Sequence, residues 1–134
     1  MCLKSFNLFW MFVCLMMPLQ VKAVDFDRAF SAYEAKDFRE AYRGFKYLAQ
    51  DQHVRAQYLL GLLYLNGQGV RKSVERGINW LKQAAENGSY RAAAELGQIY
   101  ATGRDVEMNA EEAARWIGLS SDLASDEDAD EDCD

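Results

Sequence analysis

The chain has 134 residues with 21 acids against 15 bases, one histidine, three cysteines and a single proline. Eight acids, Asp122, Asp126, Glu127, Asp128, Asp130, Glu131, Asp132 and Asp134, fall together at the end with no base among them. Without them, and without Lys4 and Lys22, residues 24–121 are formally neutral. The absence of a basic stripe argues against nucleic acid as a partner.

In chain order, the first segment reads as an export signal. Lys4 precedes an apolar run from Leu8 to Met17, Pro18 ends it, and Val21-Lys22-Ala23 places small residues where a signal peptidase cuts. Residues 1–23 are expected to be a signal peptide cleaved after Ala23. The competing reading is a retained N-terminal anchor, although the run is short for a bilayer. No stable membrane span is expected after cleavage. Cys2 and Cys14 leave with the signal, so only Cys133 remains and no internal disulfide can form. Its neighbours Asp132 and Asp134 disfavour a thiolate nucleophile. Cys133 reads as an unpaired tail residue, with a dimer through an intermolecular disulfide as the alternative.

The remaining chain reads as six helices. The first runs from Phe26 to Glu34 and joins through Ala35-Lys36-Asp37 to Phe38-Arg39-Glu40-Ala41-x-x-x-Phe45-x-x-Leu48-Ala49. Asp37 and Glu40 form a capping-box arrangement. Two longer units follow, from about His53 to Leu65 and Val74 to Glu86, then Tyr90 to Ala101 and Ala110 to Leu119. Asn66-Gly67 and Asn87-Gly88 stop helices, because glycine takes the left-handed conformation at least cost. Ser73 and Asn109 stand at N-cap positions. Gly118 and Ser120 weaken the last helix, and residues 122–134 are expected to form a disordered acidic tail, since like charges repel and bury no core.

Leu60-Gly61-x-x-Tyr64-x-x-Gly67-x-x-Val70 returns as Leu96-Gly97-x-x-Tyr100-x-x-Gly103-x-x-Val106, shifted by 36 residues. Ala56 and Ala92, and Trp80 and Trp116, keep that offset. Fixed-period helical units bury their apolar faces by stacking. The small residues Gly61, Gly97, Ala56 and Ala92 are expected where helices of neighbouring units approach, with Tyr64, Tyr100, Trp80 and Trp116 filling the space beside them. This pattern, followed by a polar cap, a Trp and Ala84-Ala85-x-x-Gly88, resembles the Sel-1-like repeat, a relative of the tetratricopeptide repeat with a longer turn. Asp105 stands where that family prefers the glycine seen at Gly69, so the turn there is expected to be built differently. The short first turn, Tyr33-x-x-x-Asp37-Phe38-x-x-Ala41, resembles the tetratricopeptide turn instead. The resemblance implies an all-α, right-handed α-solenoid of about three hairpins. The helical domain spans 24–121, divided into a tetratricopeptide-like hairpin at 24–52 and repeats at 53–88 and 89–121.

Chemistry is not expected. His53 has no cysteine or serine motif to partner it, and no nucleophile elbow or phosphate loop is present. Glu111 and Glu112 fall in a helix's first turn, where carboxylates suit the macrodipole. Asp126-x-Asp128-x-Asp130-x-Asp132 lacks the central glycine and distal glutamate of a calcium loop. We therefore expect no enzyme, metal or cofactor. The second repeat carries Tyr58, Leu62 and Leu65 on a further stripe, where the third has Ala94, Gln98 and Ala101. The resemblance implies that the first helices of the units line a concave groove. Arg55, Tyr58, Leu62, Arg91, Ala94 and Gln98 are the candidate partner-binding residues. The competing reading packs Tyr58 and Leu62 against the N-terminal hairpin. The expected function is an exported adaptor or scaffold binding a protein or peptide in a cell-envelope assembly. The alternative is a secreted effector or inhibitor that engages an enzyme or host protein through the same groove. In a bacterium the expected compartment is the periplasm; otherwise the protein is secreted.

Overall fold

A computed structural model describes residues 25–129. They form α1 (Phe26–Glu34), α2 (Phe38–Gln50), α3 (Val54–Asn66), α4 (Val74–Glu86), α5 (Tyr90–Thr102) and α6 (Ala110–Ala129), with no strand among the described residues. Each helix packs against its neighbours in sequence, giving three hairpins in succession. The expected signal segment, Cys133 and the last five residues lie outside the described residues.

Short polar side chains begin the helices, at Asp37, Ser73 and Asn109 as the sequence implies and at Ser89 besides. Asp37 accepts from the Glu40 N–H, Ser73 from Arg76 and Ser89 from Ala92. Asn109 accepts from both Glu111 and Glu112 at 3.1 Å. His53 does the same work, its Nδ1 accepting from the Ala56 N–H at 3.3 Å. Such a cap is worth about 1 kcal/mol, because it satisfies a backbone donor the helix leaves unpaired. The one histidine is thereby accounted for structurally.

The turns inside the hairpins differ as expected. The first is closed by an Asp37 N–H to Ala32 carbonyl bond at 2.9 Å. The longer loops are closed at the 36-residue offset, by Ser73 to the Tyr64 carbonyl and by Asn109 to the Tyr100 carbonyl. One expectation is corrected here. Asp105, with φ 64°, holds the same left-handed conformation as Gly69 at φ 70°, so the second long turn is built like the first. At Asp105 the carboxylate meets the Lys72 ammonium at 2.9 Å. At Gly69 a Cβ would run into the Phe38 carbonyl.

Gly61 and Gly97 mark close approaches, but within a hairpin rather than between neighbouring units. A Cβ on Gly61 would meet Leu81 at 3.0 Å and the Gly77 carbonyl at 3.1 Å. One on Gly97 would meet Ile117 at 2.6 Å. Two core clusters result. One, from α1 to α3, includes Ala41, Phe45, Leu60 and Leu63; the other, mainly from α4 to α6, includes Leu81, Leu96, Ile99 and Trp116.

The last helix also ends later than the acidic run suggests, continuing to Ala129. Ser120 Oγ donates to the Tyr90 carbonyl at 3.1 Å, Leu119 packs on the second core cluster, and Leu123 and Ala124 are half-buried. These contacts hold the helix across Gly118 and into residues the charge pattern assigns to the tail. Residues 130–134 of that tail lie outside the described residues.

Candidate binding surface

A cleft of about 530 Å³ opens between the second and third hairpins, lined by Val54, Arg55, Asn87, Gly88, Ser89, Tyr90 and Arg91. It is built from the first turns of α3 and α5 and the turn that ends α4. Arg55 and Arg91 occupy the same register, 36 residues apart, each in the first turn of its helix. Among the described residues, no carboxylate lines the cleft. The Arg55 guanidinium lies over the Phe26 ring at 4.8 Å and the Phe30 ring at 5.7 Å. Arg91 Nε donates to the Tyr90 hydroxyl at 3.1 Å. Both cations are thus held by aromatic groups, which restricts long and flexible side chains.

The floor is pinned by a buried polar relay. Asn87 Nδ2 donates to Gln57 Oε1 at 3.0 Å, and Gln57 Nε2 donates to the Ala49 carbonyl at 3.3 Å. Gln57 is the buried polar residue of the core, only 2% exposed. Its amide spans the ends of α2, α3 and α4, and a buried amide of this kind is satisfied or costly. Gly88 at φ 100° lets the chain turn beside it.

Of the six sequence-derived candidates, the structure brings Arg55 and Arg91 together in this cleft. Ala94 and Gln98 lie exposed on α5, one and two turns beyond Arg91. Tyr58 and Leu62 differ from these. Both are half-buried and pack against both core clusters, so they join the first three helices to the last three. Burial, aided by the nearby Glu95 carboxylate, raises the Tyr58 pKa above its ordinary value. Sequence reasoning missed Tyr90, Ser89 and the Asn87–Gln57 relay. A signal existed for part of this: Ser89 and Arg91 repeat His53 and Arg55 at the 36-residue offset.

Among the described residues, no helix is long and apolar enough to cross a membrane, and no group of three or more His, Cys, Asp or Glu is placed to hold a metal ion. The arrangement offers charge, hydrogen-bond donors and exposed small residues for contact with a partner.

The Sel1 repeat family model matches residues 54–89 and 91–125, covering α3 to α5 and most of α6. Among solved structures, the chain is similar to a Sel1 repeat protein from Oxalobacter formigenes. The two are 31% identical with a TM-score of 0.65, over 73% of this chain and 42% of that one. It is also similar to a protective antigen of uropathogenic Escherichia coli strains that displays an SLR fold. Here the identity is 33% and the TM-score 0.63, over 72% of this chain and 21% of that one. The chain therefore spans less than half the length of either. Sel1 repeats generally mediate protein–protein interaction, and proteins of this fold are generally non-catalytic scaffolds. The hairpins, their caps, their glycine contacts and these likenesses converge: the chain belongs to the Sel1 repeat family, as an all-α helical repeat solenoid.

Proposed function

We propose that the protein is an exported Sel1 repeat adaptor that holds another protein in a cell-envelope assembly, using the exposed face of α5 and the cleft beside it. The supporting observation is a difference between equivalent positions of successive repeats. Tyr58 and Leu62 on α3 are partly covered, whereas their counterparts Ala94 and Gln98 on α5 are small or polar and exposed. A helix face of small and polar residues is compatible with water and leaves that surface open to a partner. Arg91 adds a charged group at the head of the same row. Export rests on the N-terminal pattern around Leu8–Met17 and Ala23.

A secreted effector is the second reading, favoured by the likeness to the protective antigen. Fractionation of source cells with affinity capture from envelope and medium separates the two. The adaptor reading expects the chain to begin after Ala23 and to be captured with an envelope protein. Chain recovered only from medium, without an envelope partner, supports the effector. Retention in the cytoplasm contradicts both.

A further inference from the structure

We infer that His53 is an acid-sensitive cap: on taking up a proton its ring releases the head of α3, the turn from which Val54 and Arg55 line the cleft. The inference goes beyond the interaction reading and does not depend on what the cleft holds. Its ground is a difference between two repeats at one register. Ser89 caps α5 through a hydroxyl that accepts the Ala92 N–H at 3.2 Å, and a hydroxyl keeps its lone pairs in neutral and acid solution alike. His53 caps α3 from the position 36 residues earlier, its Nδ1 accepting the Ala56 N–H at 3.3 Å. An imidazole accepts at Nδ1 only while that nitrogen carries no proton; in the cation both ring nitrogens are donors.

The surroundings give the protonated ring no other way to hold the turn. The ring is stacked on Phe26 of α1, with centroids 4.7 Å apart and planes 11° from parallel, which restricts its rotation. A cation here sits at the positive end of the α3 dipole. Arg55 already holds its guanidinium over the same Phe26 ring at 4.8 Å. The other charged or titratable groups on the packed elements are Asp51 at the end of α2, Asp25 at the head of α1, and Tyr90 and Arg91 across the cleft. Asp25 already accepts the Asp27 N–H at 3.1 Å, and none of the ion pairs among the described residues includes His53. The His53 carbonyl keeps the Gln57 N–H at 3.0 Å, so release is confined to the first turn. The cap is an interaction of the folded chain with the neutral ring, so its contribution is present at neutral pH and lost as the pH falls.

The test is an NMR titration of the isotope-labelled protein from about pH 8 to about pH 5, the range in which imidazoles change charge. The Val54, Arg55, Ala56 and Ala92 amides are followed beside the His53 ring signals. We expect the Ala56 amide to shift with the midpoint of the ring, Val54 and Arg55 to move less, and Ala92 to stay still. A charge felt only through space would move Val54 and Arg55 as much as Ala56, and that result overturns the inference. So does an Ala56 amide that stays still while the ring takes its proton, or a ring still neutral at about pH 5. His53→Ser copies the Ser89 cap and gives a second readout by thermal unfolding over the same range. On acidification the parent's melting temperature should fall further than that of His53→Ser by a few degrees, the loss of one cap. Parallel curves overturn the inference. His53→Ala lacks the cap at every pH and should melt below His53→Ser throughout; equal melting of these two would show that the cap contributes nothing, and overturns it as well.

Discussion

Gly69 and Asp105 hold the same left-handed backbone at equivalent places in successive turns, yet the two sites tolerate different residues. Gly69→Ala adds a Cβ against the Phe38 carbonyl as well as the strain of φ 70°, and should cost about 3 kcal/mol or more. Asp105→Gly relieves left-handed strain of about 1 kcal/mol and loses an ion pair with Lys72 whose partners are partly exposed, worth at most about 1 kcal/mol. Its net effect should be small. Chemical denaturation of both variants checks the contrast; equal losses would reject it. In the sequence Asp105 looks like a departure, because residue type alone does not show whether the neighbouring helix leaves room for a side chain.

Tyr64 is another residue-scale case. Burial, and its hydroxyl's 3.0 Å contact with Tyr42, raise the Tyr64 pKa above its ordinary value of 10.0, as burial does for Tyr58. The folded state thus favours the protonated phenols. Stability is insensitive to these two groups below about pH 10 and falls above it, where the unfolded chain loses protons that the folded chain retains. Melting temperatures between about pH 8.5 and 11 should fall less steeply in Tyr58→Phe/Tyr64→Phe than in the parent. Parallel curves would show that these hydroxyls are not differentially protonated.

At the scale of elements, the helices and their stops were legible because each signal is local. Asp37, Ser73 and Asn109 cap where their positions imply, and Gly67 and Gly103 end α3 and α5. The end of α6 was not legible. Its continuation depends on Ser120 meeting the Tyr90 carbonyl, a contact between residues 30 apart. Nor did the offset of 36 say which helices Gly61 and Gly97 bring together, since periodicity carries no direction. Their contacts lead to unequal sensitivities. Leu81, opposite Gly61, is fully buried and has nowhere to move, whereas Ile117, opposite Gly97, is 52% exposed. Gly61→Ala should therefore cost about 1–3 kcal/mol by overpacking. Gly97→Ala should cost distinctly less, because Ile117 lies at the surface with room to shift, while the helix propensity alanine adds, up to about 1 kcal/mol, is common to both. Thermal unfolding of the pair decides, and a greater loss at Gly97 would contradict the packing order.

For the whole molecule, Ile117 on α6 stands apart from its counterparts in being exposed. Phe45 and Leu81, its counterparts at 36-residue steps, are fully buried. Of the two readings of Tyr58 and Leu62, the contacts in the structure are those of packing. They join the two core clusters, so replacing them costs stability and gives an ambiguous binding test. Arg55 and Arg91 line one cleft because the fold places their first turns side by side, which no local pattern discloses. Under the proposed function, α5 and its cleft form the face that engages another protein. Site-specific photo-cross-linking at Gln98, compared with Gln83 on the exposed side of α4, tests it most directly in the native source. A discrete protein adduct is expected from position 98 and none from position 83. An adduct from position 83 alone, or none from position 98, would contradict it.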